Sequence, residues 1–225
     1  MKYKLKEHRH SLSIVTEPEF RDDWREFLSV IEGISDEMII AKFESSSSDN
    51  SKIGRRKAMS LSRSINALID EGLVAKGWSR QSRIFGDSRF EDKRWTLDFA
   101  KNKPNGAIGD GTFSVEIAFN NAGSTAWNLI KPVLASELNH VSKAIQTRIG
   151  IVVFATEALK QAGCFDATVG TFESAKDYLD AMQNILVSPI VIVGLDAPEG
   201  FEVQGRVDEE GKYNYGAIVR SSGRP

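Results

Sequence analysis

The sequence predicts an α/β fold, a mixed central β-sheet flanked by helices, and three observations carry that prediction. The runs Ile149-Gly150-Ile151-Val152-Val153-Phe154 and Pro189-Ile190-Val191-Ile192-Val193-Gly194-Leu195 are almost continuously apolar, the pattern of parallel strands buried on both faces. Trp95–Phe99 and Phe113–Phe119 instead alternate residue by residue, as strands with two distinct sides do. Helical periodicity fills the stretches between, so strands and helices alternate along the chain.

The helices follow in order. Thr16-Glu17-Pro18-Glu19 reads as a capping box, with Phe20, Trp24, Phe27, Leu28 and Ile31 on one face and Gly33 as a stop. Met38–Phe43 reads as a short apolar strand or turn, and Ser45–Ser51 as a polar loop. Leu61, Ile65, Leu68, Ile69 and Leu73 define a second amphipathic helix that ends between Gly72 and Gly77, and a turn-rich, arginine-bearing stretch follows Trp78. Asn102-Lys103-Pro104-Asn105-Gly106 and Gly109-Asp110-Gly111 supply turns between the two alternating strands. Trp127–Ile145 is helical in pattern, with Leu134, Leu138, Val141 and Ile145 on one face and Pro132 near its beginning. Phe172–Leu186 is another helix, on Phe172, Ala175, Leu179, Met182 and Leu186; the tail after Pro198 reads as an irregular excursion or a late hairpin.

A length of 225 residues suits one domain spanning 1–225. With 41% apolar and 27% charged residues, general disorder is excluded. No apolar run reaches membrane-spanning length and no apolar segment backs the basic start MKYKLKEHRH, so a cytoplasmic protein without membrane contact is expected. Cys164, the single cysteine, can form neither an internal disulfide nor a cysteine-based zinc site, and His8, His10 and His140 do not cluster by spacing. No glycine-rich phosphate loop is present, which argues against kinase, NTPase and Rossmann functions.

The net charge of -2 hides a division. Between Lys52 and Lys103 stand 13 Lys and Arg against 6 Asp and Glu, a balance of +7, which leaves -9 for the remainder. A solvated face explains any one basic run, yet a single positive segment on an acidic chain also suits contact with a phosphate backbone through one surface.

Alternation sets Thr96 and Asp98 opposite Trp95, Leu97 and Phe99, and sets Ser114, Glu116 and Ala118 opposite Phe113, Val115, Ile117 and Phe119. Each acid is isolated in an otherwise apolar strand. Two such carboxylates at neighbouring strand ends repel one another unless a divalent cation neutralises them, and Mg²⁺ is the hard, oxygen-seeking ion that suits the pair. The Ile117 carbonyl is a natural further ligand. A turn-capping Asp98 and a solvent-facing Glu116 fit the pattern equally well, and Asp110 is either a turn residue or an alternative ligand.

Thr96-Leu97-Asp98-Phe99-Ala100-Lys101, followed after a hairpin by Ser114-Val115-Glu116-Ile117-Ala118-Phe119-Asn120-Asn121, resembles the active-site region of the BglII/BstYI-like type II restriction endonucleases, relatives of BamHI. The likeness extends upstream to Ile65–Trp78 and downstream to Ser136–His140 and Ser188–Leu195, covering about residues 60–196 in consistent order. It implies a restriction-endonuclease-like core of the PD-(D/E)xK kind and a homodimer that grips a palindrome in double-stranded DNA and cuts both strands with Mg²⁺. It also makes a GATC-centred site the first to test. The family's first acid falls on Asp98 and its second on Glu116. The third position, Lys in the wider fold, Gln in the BglII type and Glu in BamHI, falls on Ala118, whose methyl group neither donates nor accepts.

That alanine leaves three readings. The intact surroundings favour an inactivated form that holds DNA uncut; alternatively another residue has the role, or the natural protein is a catalytically silent sequence-specific binder. The resemblance further implies base contacts from Asn120 and Asn121, whose amides suit adenine, and DNA contacts near Thr168 and Thr171. It implies backbone contacts from Arg55, Arg56, Lys57 and Lys101, and a dimer interface near Trp127–Ile145. A small structural α/β domain whose acids lie on the surface is the reading without DNA.

Overall fold

A computed structural model describes residues 1–52, 58–103, 109–137, 140–207, 211 and 214–220, with the side chains of 48–52 left aside. The sequence-predicted contacts Arg55, Arg56 and Lys57, the turn residues 104–106 and the helix-face residue Leu138 lie outside the described residues.

The chain opens with strand β1 (Tyr3–His8), a short helix α1 (Ser11–Ile14) and then α2 (Arg21–Gly33), α3 (Asp36–Lys52) and α4 (Ser62–Ala75). Strands β2 (Ser79–Arg83), β3 (Thr96–Asn102) and β4 (Gly111–Ile117) lead to α5 (Thr125–Ser136) and β5 (Ile149–Ala155). Helices α6 (Glu157–Ala162) and α7 (Phe172–Ala181), strand β6 (Ile190–Leu195) and the hairpin β7 (Phe201–Val207) with β8 (Asn214–Arg220) complete it.

Six strands form one sheet in the order β1-β6-β5-β4-β3-β2. The inner pairs β4–β5 and β5–β6 are parallel, while β1–β6, β3–β4 and β2–β3 are antiparallel. The sheet is thus mixed, as its two continuous apolar runs and two alternating segments predict. Its first face carries Phe113, Val115, Ile151, Val153, Val191 and Val193 against α2 and α4 through Trp24, Phe27, Ile31, Ile65 and Ile69. Its second face sets Val152, Phe154, Ile190 and Ile192 against Leu129 and Val133 of α5 and Phe172, Ala175 and Leu179 of α7. Helices therefore flank both faces.

Several local expectations are corrected. Thr16 caps no helix: its hydroxyl donates to the Ser13 carbonyl at 2.6 Å, and α2 starts at Arg21 with Phe20 as N-cap. Met38–Phe43 and the serine run belong to α3, where the Ser45 and Ser46 hydroxyls donate to the Lys42 and Phe43 carbonyls and so satisfy themselves within the helix. α5 ends at Ser136 instead of continuing to Ile145, which places Pro132 in its interior, and α7 ends at Ala181. The late hairpin is present as β7–β8.

Candidate active site

The ladder between β3 and β4 runs from Asn102 opposite Gly111 to Phe99 opposite Val115. Beyond it, two carboxylates take the place of main-chain acceptors. Asp98 Oδ2 accepts the N–H of Ile117 at 2.8 Å, and Glu116 Oε1 accepts the N–H of Asp98 at 3.3 Å. The two acids thus meet where the strands part.

Their surroundings raise both proton affinities. Glu116 is only 2% exposed, and burial, reinforced by the charge of Asp98, pushes its carboxyl up to about 8. Burial likewise raises Asp98, opposed by the Ile117 N–H and by the charge of Lys131. Two desolvated carboxylates at one place favour a cation.

Among the described residues no group of three or more His, Cys, Asp or Glu gathers as a metal site. Two carboxylates nevertheless suit a hard ion that keeps several of its waters, and the Ile117 carbonyl stands next to Glu116 in the chain. Asp110 does not join them. It precedes the first residue of β4 while Glu116 lies near the last, and its carboxylate faces Arg148 at 3.5 Å.

Ala118 is 1% exposed and packs in the second core with Leu129, Phe154 and Phe172. Its N–H donates to the Val153 carbonyl at 2.8 Å, carrying the β4–β5 pairing onward. The charge nearest the acids comes from elsewhere. Lys131 of α5, 8% exposed, pairs its ammonium with Glu116 Oε2 and donates to the Thr96 carbonyl at 3.0 Å. Alternation along β4 gives no sign of it. The available signal was that Lys131 is the one charged residue in the helix sequence TAWNLIKPVLAS, a lone cation among apolar residues to match a lone acid among apolar residues.

Close packing sets the depth of α5 over the sheet. A Cβ built on Gly150 of β5 would lie 2.5 Å from Cβ of Pro132, the residue after Lys131. Only glycine leaves room for that approach.

Beside Asp98 opens a cleft of about 300 Å³ lined by Arg63 and Asn66 of α4 and Arg80 and Gln81 of β2. Arg80 Nε donates to Asp70 Oδ1 at 2.7 Å, and Gln81 has a left-handed backbone with φ 45°. The other predicted contacts divide. Asn120 and Asn121 are exposed just beyond β4, and Asn121 pairs with Val169, bringing the Thr168 loop alongside. Asn120 exchanges amide hydrogen bonds with buried Asn128, the shorter at 2.9 Å, and Asn121 Oδ1 accepts the Gly123 N–H at 2.8 Å. Thr168 is exposed and donates to Asp166.

Two expected DNA contacts are turned inward. Thr171 is 2% exposed, caps α7 and donates to Glu157 at 2.9 Å. Lys101 points to the α2 side of the sheet, where its ammonium meets Glu26 at 2.6 Å and the Lys76 carbonyl at 2.9 Å. Strand alternation puts it opposite Asp98, so it cannot serve the same face.

A mixed sheet covered on both sides, with an aspartate and a glutamate converging where one antiparallel pair opens, defines a restriction-endonuclease-like fold. The chain belongs to the family described as restriction endonuclease BglII/BglIII, which matches residues 3–195. Among solved structures it is similar to restriction endonuclease BglII complexed with a DNA 16-mer, with a TM-score of 0.63 and 17% identity over 98% of this chain and 100% of that one. Free BglII is less similar, at a TM-score of 0.46 and 15% identity over the same shares. No curated protein matches the sequence. Among the described residues no helix is long and apolar enough to cross a membrane.

Proposed function

We propose that this chain is a type II restriction endonuclease that hydrolyses a phosphodiester bond in each strand of double-stranded DNA at a short palindromic site. The observation that carries the reading is the convergence of Asp98 and Glu116 at the open end of β3–β4, within a chain of this family. The chain acts as one nuclease domain and as a homodimer, because two symmetry-related copies treat the two strands of a palindrome alike.

Asp98, Glu116 and the Ile117 carbonyl would hold Mg²⁺. When bound, the ion supplies a Lewis acid toward the phosphoryl oxygens and a water readied for attack. The protein's own part is to fix both carboxylates in advance through main-chain amides, so that little reorganisation accompanies the reaction. Asn120, Asn121 and Thr168 offer exposed polar groups for base edges, and the segment with Arg55, Arg56 and Lys57 offers charge for phosphates.

A second reading, DNA binding without cleavage, is favoured by Ala118 alone. Incubation of the purified chain with Mg²⁺ and sequence-rich plasmid DNA separates the two. Discrete fragments that vanish in Asp98→Asn support the nuclease. DNA left uncut both by the chain and by Ala118→Gln, together with selection of one palindrome from a random duplex pool in Ca²⁺, supports the binder; cleavage gained only with Ala118→Gln marks an inactivated nuclease. Neither cleavage nor selection overturns both.

A further inference from the structure

We propose that Lys131 is the third polar group of the active site, carried by α5 into the place that Ala118 leaves without one. This rests on the nuclease reading above and removes the main reason for taking Ala118 as an inactivating change.

Position is the first support. The ammonium touches Glu116 Oε2 and the Thr96 carbonyl, and so spans both strands that bring the acids together. Asn128, Lys131, Pro132 and Ala135 share the buried side of α5, and the tight contact of Pro132 with Gly150 fixes how deep Lys131 reaches. The second support is energetic. Burying an ion pair is a weak source of stability compared with apolar packing, so the 8%-exposed ammonium of Lys131, the one charge in its helix, contributes little to the fold that an apolar residue would not. The third is the donor inventory: an ammonium has three N–H donors, and the two named partners leave one for the substrate.

In the reaction, a lone pair on water oxygen forms the new bond to phosphorus. The bond from phosphorus to one sugar oxygen breaks, with its electron pair leaving on that oxygen. The water proton passes to solvent and the leaving oxygen takes a proton from solvent, so one water is consumed. Lys131 stays an ammonium throughout. It donates to the attacking water or to a non-bridging oxygen as negative charge gathers there.

The test compares the full-length chain with Lys131→Met, Lys131→Arg, Ala118→Gln and the double variant Lys131→Met with Ala118→Lys. Cleavage is followed in Mg²⁺, and DNA binding and Ca²⁺-induced change in melting temperature are followed without turnover. We expect Lys131→Met to lower cleavage by about 100-fold or more with DNA binding in Ca²⁺ retained. Ca²⁺ should raise its melting temperature more than that of the unaltered chain, because the acids have lost their resident cation. Lys131→Arg should keep part of the activity, and the double variant should regain some. If Lys131→Met does not fold, Lys131→Ala, which removes the donors and lets water reach Glu116, carries the same comparison. Unchanged cleavage in the Lys131 variants overturns the assignment and leaves the nuclease reading standing. So does an inactive parent chain that gains activity with Ala118→Gln. If neither the parent nor Ala118→Gln cleaves, the nuclease reading falls and the assignment with it.

Discussion

Asp98 and Glu116 each hold a main-chain amide where their strands separate: Asp98 accepts from Ile117 at 2.8 Å, and Glu116 accepts from Asp98 at 3.3 Å. The carboxylates are therefore structural acceptors as well as neighbours that repel. An amide at position 98 can keep accepting the Ile117 N–H while shedding the charge that adds to the effect of burial in raising Glu116.

Asp98→Asn is expected to fold and to raise stability without metal by about 1 kcal/mol, the scale of relieving strain at a functional site. Its DNA cleavage should fall by more than the roughly 10- to 100-fold typical of residues one layer further from a metal. Melting with and without Ca²⁺ checks the first half: the stabilisation by Ca²⁺ should largely disappear. A melting curve that responds to Ca²⁺ as the unaltered chain does would count against Asp98 as a ligand.

Glu116 also sets a pH dependence. Its carboxyl is raised from an ordinary 4.5 to about 8, so the folded chain keeps a proton that the unfolded chain releases between those values. Stability from this group is whole below 4.5, is lost as pH rises through 8, and the metal-free protein weakens across that window. Because a ligand must be deprotonated to bind, Ca²⁺ should stabilise the protein more at the upper end than at the lower. Melts at both ends decide it, with Glu116→Gln expected to flatten the slope.

Gly150→Ala places a methyl group against Pro132, where the built Cβ lies 2.5 Å from Pro132 Cβ. The expected loss is about 1–3 kcal/mol of stability from overpacking, read from the denaturant midpoint. Cleavage should fall as well, because displacement of α5 carries Lys131 with it.

Lys101→Met tests the inward placement of that side chain, which meets Glu26 at 2.6 Å and lies over the Trp78 ring at 5.6 Å. Stability should drop by about 1.5–3 kcal/mol, the range for a charge-assisted hydrogen bond. The salt dependence of DNA binding should not change. A slope reduced by about one would restore Lys101 as a phosphate contact.

The sheet interior and both acids were legible because period two is a strong signal where a strand is buried: β5 and β6 read as continuous apolar runs, and β3 and β4 as alternating ones. The edges were not. Tyr3-Lys4-Leu5-Lys6 does alternate, but its lysines belong to an edge strand beside β6, where charge blunts unwanted pairing; Ser79–Arg83 has no apolar residue to alternate. Serine misled at α3, since a hydroxyl bonded within its own helix leaves the same sequence trace as a loop. Lys131 escaped because its meeting with Glu116 depends on how α5 lies across the sheet, which periodicity within either element does not reveal.

A charge brought in by a helix is free of the strand's two-residue rhythm. Position 118 lies in the core, where its small side chain fills space among Leu129, Phe154 and Phe172, while the ammonium beside Glu116 comes from Lys131 of α5. The two acids are fixed by the spacing of their strands, whereas their counter-ion rides on a helix, so a shift of α5 alone would change the charge around Glu116 without moving either carboxylate.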